Sequence, residues 1–147
     1  MIWVTAVPDL QLWLATNKVP NPEKRLSQLL GLPPNTEKNF FVEFWVRPQD
    51  LIRPCIDTEI TDSVCDLYLQ KPSDANAEHL LWLLEQVHRS FADSNLYKRY
   101  PFTQLGYTYD WNPRNKSHIG LSEFVIGKNK KIVVGDVFTT AEYLGRN

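Results

Sequence analysis

Long apolar runs, glycine, cysteine and histidine are all scarce in this chain. No stretch approaches the roughly 18 consecutive apolar residues that a membrane-crossing helix requires, so no membrane span is expected. The six glycines are scattered over 147 residues, which leaves no Gly-rich loop to cradle a phosphate. G-x-S-x-G, H-E-x-x-H and paired C-x-x-C patterns are missing too, and with them the common signatures of serine hydrolases, zinc proteases and zinc ribbons. Two of the three histidines, His79 and His88, share one expected helix nine positions apart. They therefore point to opposite sides of it and cannot ligate one ion. No metal site and no cofactor are expected. Met1 leads straight into "IWVTAVPDL", with no basic segment or long apolar stretch, so no signal peptide is expected.

What is present is ordinary in bulk and uneven in detail. Hydrophobic residues make up 43% and charged residues 22%, values of a folded chain with a core. The length suits one α+β domain over residues 1–147. A net charge of −1 gives no field that would favour nucleic acid. Residues 1–94 hold 8 basic and 13 acidic side chains, whereas residues 95–147 hold 8 and 4. The basic surplus of the second half suits either plain solvated surface or an anionic ligand.

Cys55 and Cys65 are the only cysteines, in "CIDTEITDSVC". With no histidine in that segment, a disulfide is expected, worth roughly 2–3 kcal/mol by loop closure. A bridge in turn implies an oxidising compartment, periplasmic or secreted.

Pattern places the elements. "IWVTAV" reads as a strand, "PDLQLWLAT" and "PEKRLSQLL" as short helices, and "NFFVEFWV" as the clearest strand. "DLYL" reads as a brief strand. "SDANAEHLLWLLEQVHRSF" is the strongest helix, capped by Ser73 or Asp74, with Leu80, Leu84, Val87 and Phe91 expected on its buried face. "LGYTYDW", "IGLSEFVI" and "KKIVVGDVFT" read as strands, the last two joined through "GKNK" as a hairpin. "TAEYLG" adds a helical turn. Helices early and strands late predict an antiparallel sheet with two or three helices mainly on one side.

Alternation sets Tyr107, Tyr109 and Trp111 on one face of "GYTYDW" and Thr108 and Asp110 on the other. The rings are core, or else an open platform on which a sugar, base or peptide stacks. Arg53, flanked by Asp50, Asp57 and Glu59, is expected to be held by a carboxylate, as a clamp or as an anion-recognising group. Glu43 and Glu123 sit in apolar strands, where burial raises a carboxylate's pKa. Folding "LGYTYDW" back on "GLSEFVI" symmetrically would set Tyr107 opposite Glu123. His118, between a polar loop and a strand, is the histidine best placed for acid–base work.

The segments "RPC…EITD…C" and "GYTYDW…GLSEFVI" resemble those of a group of small bacterial proteins of uncharacterised function. The resemblance implies no reaction or ligand. The leading expectation is a domain that binds a small anionic or ring-stacking ligand, or a peptide, through Arg53, Tyr107, Tyr109, Trp111 and Glu123. A rival is a small toxin-like hydrolase or transferase, such as a nuclease. Glu123 and His118 would then be its catalytic acid–base groups, and Arg53 would stabilise negative charge. A third is a structural or interaction protein without a small-molecule site.

Overall fold

The computed structural model describes residues 1–17, 20–69, 76–92 and 101–146. The fold is α+β with antiparallel sheets. In chain order the elements are β1 (Ile2–Thr5), α1 (Val7–Thr16), α2 (Pro22–Leu29), β2 (Phe40–Val46), a 3-10 turn (Pro48–Asp50), β3 (Leu51–Ile52), α3 (Ala77–Ala92), β4 (Tyr107–Tyr109), β5 (Ile119–Ile126), β6 (Ile132–Thr139) and α4 (Thr140–Leu144).

Strand β5 organises the larger sheet. β1 pairs with its second half, from Thr5 opposite Glu123 to Ile2 opposite Ile126, β3 with Val125 and Ile126, and β4 with its first half. The expected β5–β6 hairpin does not form. The turn after β5 carries the chain out of that sheet, and β6 pairs with β2 in a separate two-stranded ribbon. At a bulge between Val42 and Phe44, β6 sets Gly135 and Asp136 opposite the single residue Glu43, so the extra residue lies on β6 and β2 alternates unbroken.

Leu10 and Leu14 of α1, Leu26 and Leu29 of α2, Leu121 of β5 and Tyr143 of α4 form the main core. Proline opens both α1 and α2, where a missing N–H costs nothing. Asn21 caps α2 by accepting from Lys24 N at 3.0 Å. Gly31, at φ +64°, ends it against the Tyr109 backbone, where a Cβ would come within 3.1 Å of the carbonyl oxygen. At Gly120 a Cβ would lie 2.1 Å from Thr108 Oγ1 and 2.6 Å from the Leu29 carbonyl oxygen. That contact lets α2 close directly onto the β4–β5 pair.

Two expectations are corrected here. Residues 66–69 form a bend rather than a strand, because the chain is leaving the disulfide loop. On α3 the inward side chain is Leu83, while Leu84 and Phe91 are 64% and 63% exposed and Leu80 and Val87 are half-buried. The inward stripe is rotated towards His79, Leu83 and Gln86 because the helix is anchored by His79, whose Nε2 lies 2.7 Å from the Cys55 carbonyl oxygen. Trp82 also packs on Trp3, with ring centroids 5.7 Å apart. Asn76 Oδ1 accepts from His79 N at 3.1 Å, an N-cap contact. The expected caps Ser73 and Asp74 lie outside the described residues.

Candidate functional site

The "GYTYDW" segment is turned the opposite way from the arrangement in which its rings form the core. Thr108 and Asp110 are buried, whereas Tyr107, Tyr109 and Trp111 are half-buried. Polar groups can occupy this interior because each is fully partnered. Thr108 Oγ1 donates to the Leu29 carbonyl at 2.6 Å and accepts from Leu121 N at 2.9 Å. Asp110 takes a two-pronged bond from Arg25, Nη1 to Oδ1 at 2.9 Å and Nη2 to Oδ2 at 2.6 Å. It also accepts from Asn115 Nδ2 at 2.8 Å and Asn112 N at 3.0 Å. Burial pushes the Asp110 pKa up, but the Arg25, Asn115 and Asn112 hydrogen bonds outweigh it and hold the carboxyl below its usual value. Arg25 also lies over the Trp13 ring, 4.7 Å from its centroid.

The sequence candidates are dispersed around this hub. His118 has φ +56°, its Nδ1 is 2.8 Å from the Asp110 carbonyl oxygen, and its ring stacks on Tyr109 at 5.0 Å. Tyr107 pairs with Ser122, one position from the symmetric register that would have set it opposite Glu123. The slip begins nearer the loop, where Tyr109 pairs with Ile119, two positions from the symmetric register, and the bulge between Tyr107 and Tyr109 takes back one of them. Glu123 faces Thr5 across the sheet and is half-buried. Its carboxylate makes no hydrogen bond among the described residues, and desolvation raises its pKa to about 7.

Arg53 is fully buried, and its expected carboxylate partner is replaced by main-chain carbonyls. Nε donates to the Glu59 carbonyl at 3.0 Å and Nη2 to that of Asp62. The guanidinium carbon sits 5.3 Å from the centre of the Phe124 ring. Nearby acids are engaged elsewhere. Asp57, Glu59 and Asp62 accept from the N–H groups of Glu59, Thr61 and Val64, local turns that suit short acidic side chains. Asp50 pairs with Arg47 at 2.8 Å and Lys130 at 3.1 Å. The Cys55–Cys65 bridge is formed and closes the loop that supplies both carbonyls.

Of the residues singled out in the sequence, Trp111 lines one large cleft and Glu43 another, and sequence reasoning did not anticipate the neighbours of Trp111. This cleft, of about 540 Å³, is walled by the α2 start, residues 34–39 and Trp111. The indole is fixed, Nε1 donating to the Leu32 carbonyl at 2.9 Å. Lys38 Nζ donates to Ser27 Oγ and to the Thr36 carbonyl, each at 3.1 Å. The Ser27 hydroxyl in turn donates to the Glu23 carbonyl at 3.1 Å. Lys38 has no carboxylate partner among the described residues, and burial lowers its pKa. Asn21, Asn35 and Asn39 add amides to the lining. A second cleft, of about 610 Å³, separates the two sheets and is lined mainly by apolar side chains. Its one carboxylate, Glu43, accepts from Arg146 Nη1 at 3.0 Å.

Among the described residues no cluster of three or more potential metal ligands occurs, and no helix is long and apolar enough to cross a membrane. No family model, curated protein or solved structure matches the chain.

Proposed function

We propose that the protein is a binding domain for a small hydroxylated molecule with one negative charge, held in the Trp111–Lys38 cleft. The observation that carries this reading is the half-buried Lys38 ammonium, which forms no salt bridge among the described residues and lines a polar cleft with Lys24, Glu23 and Glu37. An ammonium has three N–H donors. Ser27 and Thr36 take two of them, and one is left for a ligand. A half-desolvated cation gains more from an anion than an exposed one does. The fixed indole offers a flat apolar wall of the kind a sugar ring covers, and the asparagine amides can serve its hydroxyls. The disulfide suits an oxidising compartment, so we place the domain in a periplasm or outside the cell.

Titration calorimetry with neutral sugars, sugar acids and sugar phosphates tests the reading. Saturable binding of an acidic or phosphorylated sugar is expected, weakened at least about tenfold by Lys38→Met, a loss of about 1.4 kcal/mol. Trp111→Ala should weaken charged and neutral sugars alike. Binding should fade as pH rises, at a less alkaline pH than for an ordinary lysine, because burial lowers the Lys38 pKa. A panel without a binder, or equal affinity after Lys38→Met, refutes the assignment.

A further inference from the structure

The cleft between the two sheets is bordered by strand edges as well as by side chains. A wall made of a sheet face shows every second residue, because side chains alternate. Here residues 2–7 and residues 41–44 line the cleft one after another, no residue of β6 lines it, and β5 contributes only Phe124. The edges of β1 and β2 turned towards the cleft are therefore those turned away from β5 and β6. Among the described residues β1 pairs only with β5, and β2 only with β6. No other backbone hydrogen bond among those residues reaches positions 2–5 or 41–46. Each strand thus presents unpaired N–H and C=O groups to the same space.

The remaining edges are guarded. β3 has two residues and β4 three, and β6 carries the bulge at Gly135 and exposed Asp136. Short edges, bulges and charges are the usual defences against an added strand. β1 has no charge, proline or bulge, and β2 has only Glu43, which Arg146 engages at 3.0 Å.

We infer that this cleft takes up an extended, uncharged, largely apolar peptide segment of a partner protein, which adds as a strand along the free edges of β1 and β2. The size fits. An extended residue takes about 3.4 Å along a strand, about 4.8 Å across the sheet and about 10 Å through it, or about 160 Å³. The cleft of about 610 Å³ therefore holds one strand of about four residues, the length of β1. In this mode main-chain bonds supply affinity and side-chain pockets supply specificity. Leu10, Phe41, Phe44, Leu51, Phe124 and Tyr143 offer those pockets. No lysine, arginine or histidine lines the cleft, so an acidic side chain would enter without a partner. The cleft shares no lining residue with the Lys38 cleft, and the inference is independent of the ligand assigned there.

A panel of blocked octapeptides, each with a Val, Ile, Thr and Phe centre and a lysine at both ends, tests the inference by titration calorimetry and amide hydrogen exchange. Saturable binding of at least one peptide is expected, with exchange slowed at least about tenfold at edge-facing amides of residues 2–5 and 41–46. N-methylating every second amide of that peptide removes donors but no apolar surface, and should weaken binding at least about tenfold. Ile2→Lys and Val42→Lys alter side chains that are 49% and 51% exposed, so far-UV circular dichroism should stay unchanged. Each places a charge on one wall and should also weaken binding at least about tenfold. Val133→Lys, on β6 and outside the cleft, should leave affinity unchanged. A panel without a binder overturns the inference. Equal affinity of the N-methylated peptide overturns it too, since that marks a site for apolar molecules in general. A chain that fills the cleft with a second copy of itself, seen as a dimer in sedimentation equilibrium that Ile2→Lys and Val42→Lys dissociate, overturns it as well.

Discussion

The α2–β4 junction and the β2–β6 ribbon solve opposite problems. At the junction an aspartate, a threonine and an arginine go inside, while on the ribbon two rings and three valines stay outside. Polarity alone did not decide either placement. Asp110 can be interior because four donors meet it there, and a buried polar group is tolerated when its bonds are complete. Phe40 is exposed because the face of β2 that carries Phe41 packs on Tyr143, Phe41 stacking on it at 4.1 Å, while Trp45, past the bulge, lies beyond that contact.

The strongest way to break the contrast is Asp110→Ala. It strands the Arg25 guanidinium in a largely buried position, and should cost about 3–5 kcal/mol in urea unfolding. A loss under about 1 kcal/mol would show that the junction tolerates a lone buried charge. A smaller version of the contrast lies along α3. Leu83→Ala should cost about 2–5 kcal/mol, whereas Leu84→Ala should stay within about 0.5 kcal/mol. Equal losses would place both leucines in the same environment.

Glu123 sharpens the comparison, because it is enclosed without the partners that Asp110 has. Its pKa is raised from 4.5 to about 7 by desolvation. Between those pH values the unfolded chain releases the proton and the folded protein keeps it. The stability this group contributes is thus complete below the lower value and lost as pH climbs through the upper one. The loss is no more than about 3 kcal/mol. Glu123→Gln should flatten the stability profile over that window and exceed the parent's stability at alkaline pH, as read from urea midpoints. A parallel pair of profiles would refute this.

Much of the architecture was legible in the sequence. Hydrophobic patterning identified β2, β5 and β6, and isolated Cys55 and Cys65 suggested their bridge. Orientation was not legible. Alternation separates Tyr107 and Tyr109 from Thr108 and Asp110 but is silent on which set faces inward. The deciding partners, Leu29 and Arg25, lie 79 and 85 residues away in sequence. On α3, Leu83 and Leu84 both satisfy helical spacing, and the His79–Cys55 contact that selects between them spans 24 residues. The Lys38 cleft left no motif, since it is assembled from a helix start, a loop and one distant tryptophan.

The covalent ring from Cys55 to Cys65 also lowers the entropic cost of seating Arg53. The carbonyls of residues 59 and 62 that receive the Arg53 guanidinium belong to that ring. A loop still open must gather both oxygens from a wandering chain while the cation sheds its water. A loop already closed presents them in a small circle from which they cannot disperse. Cross-linking first and cation burial second is therefore the less costly route.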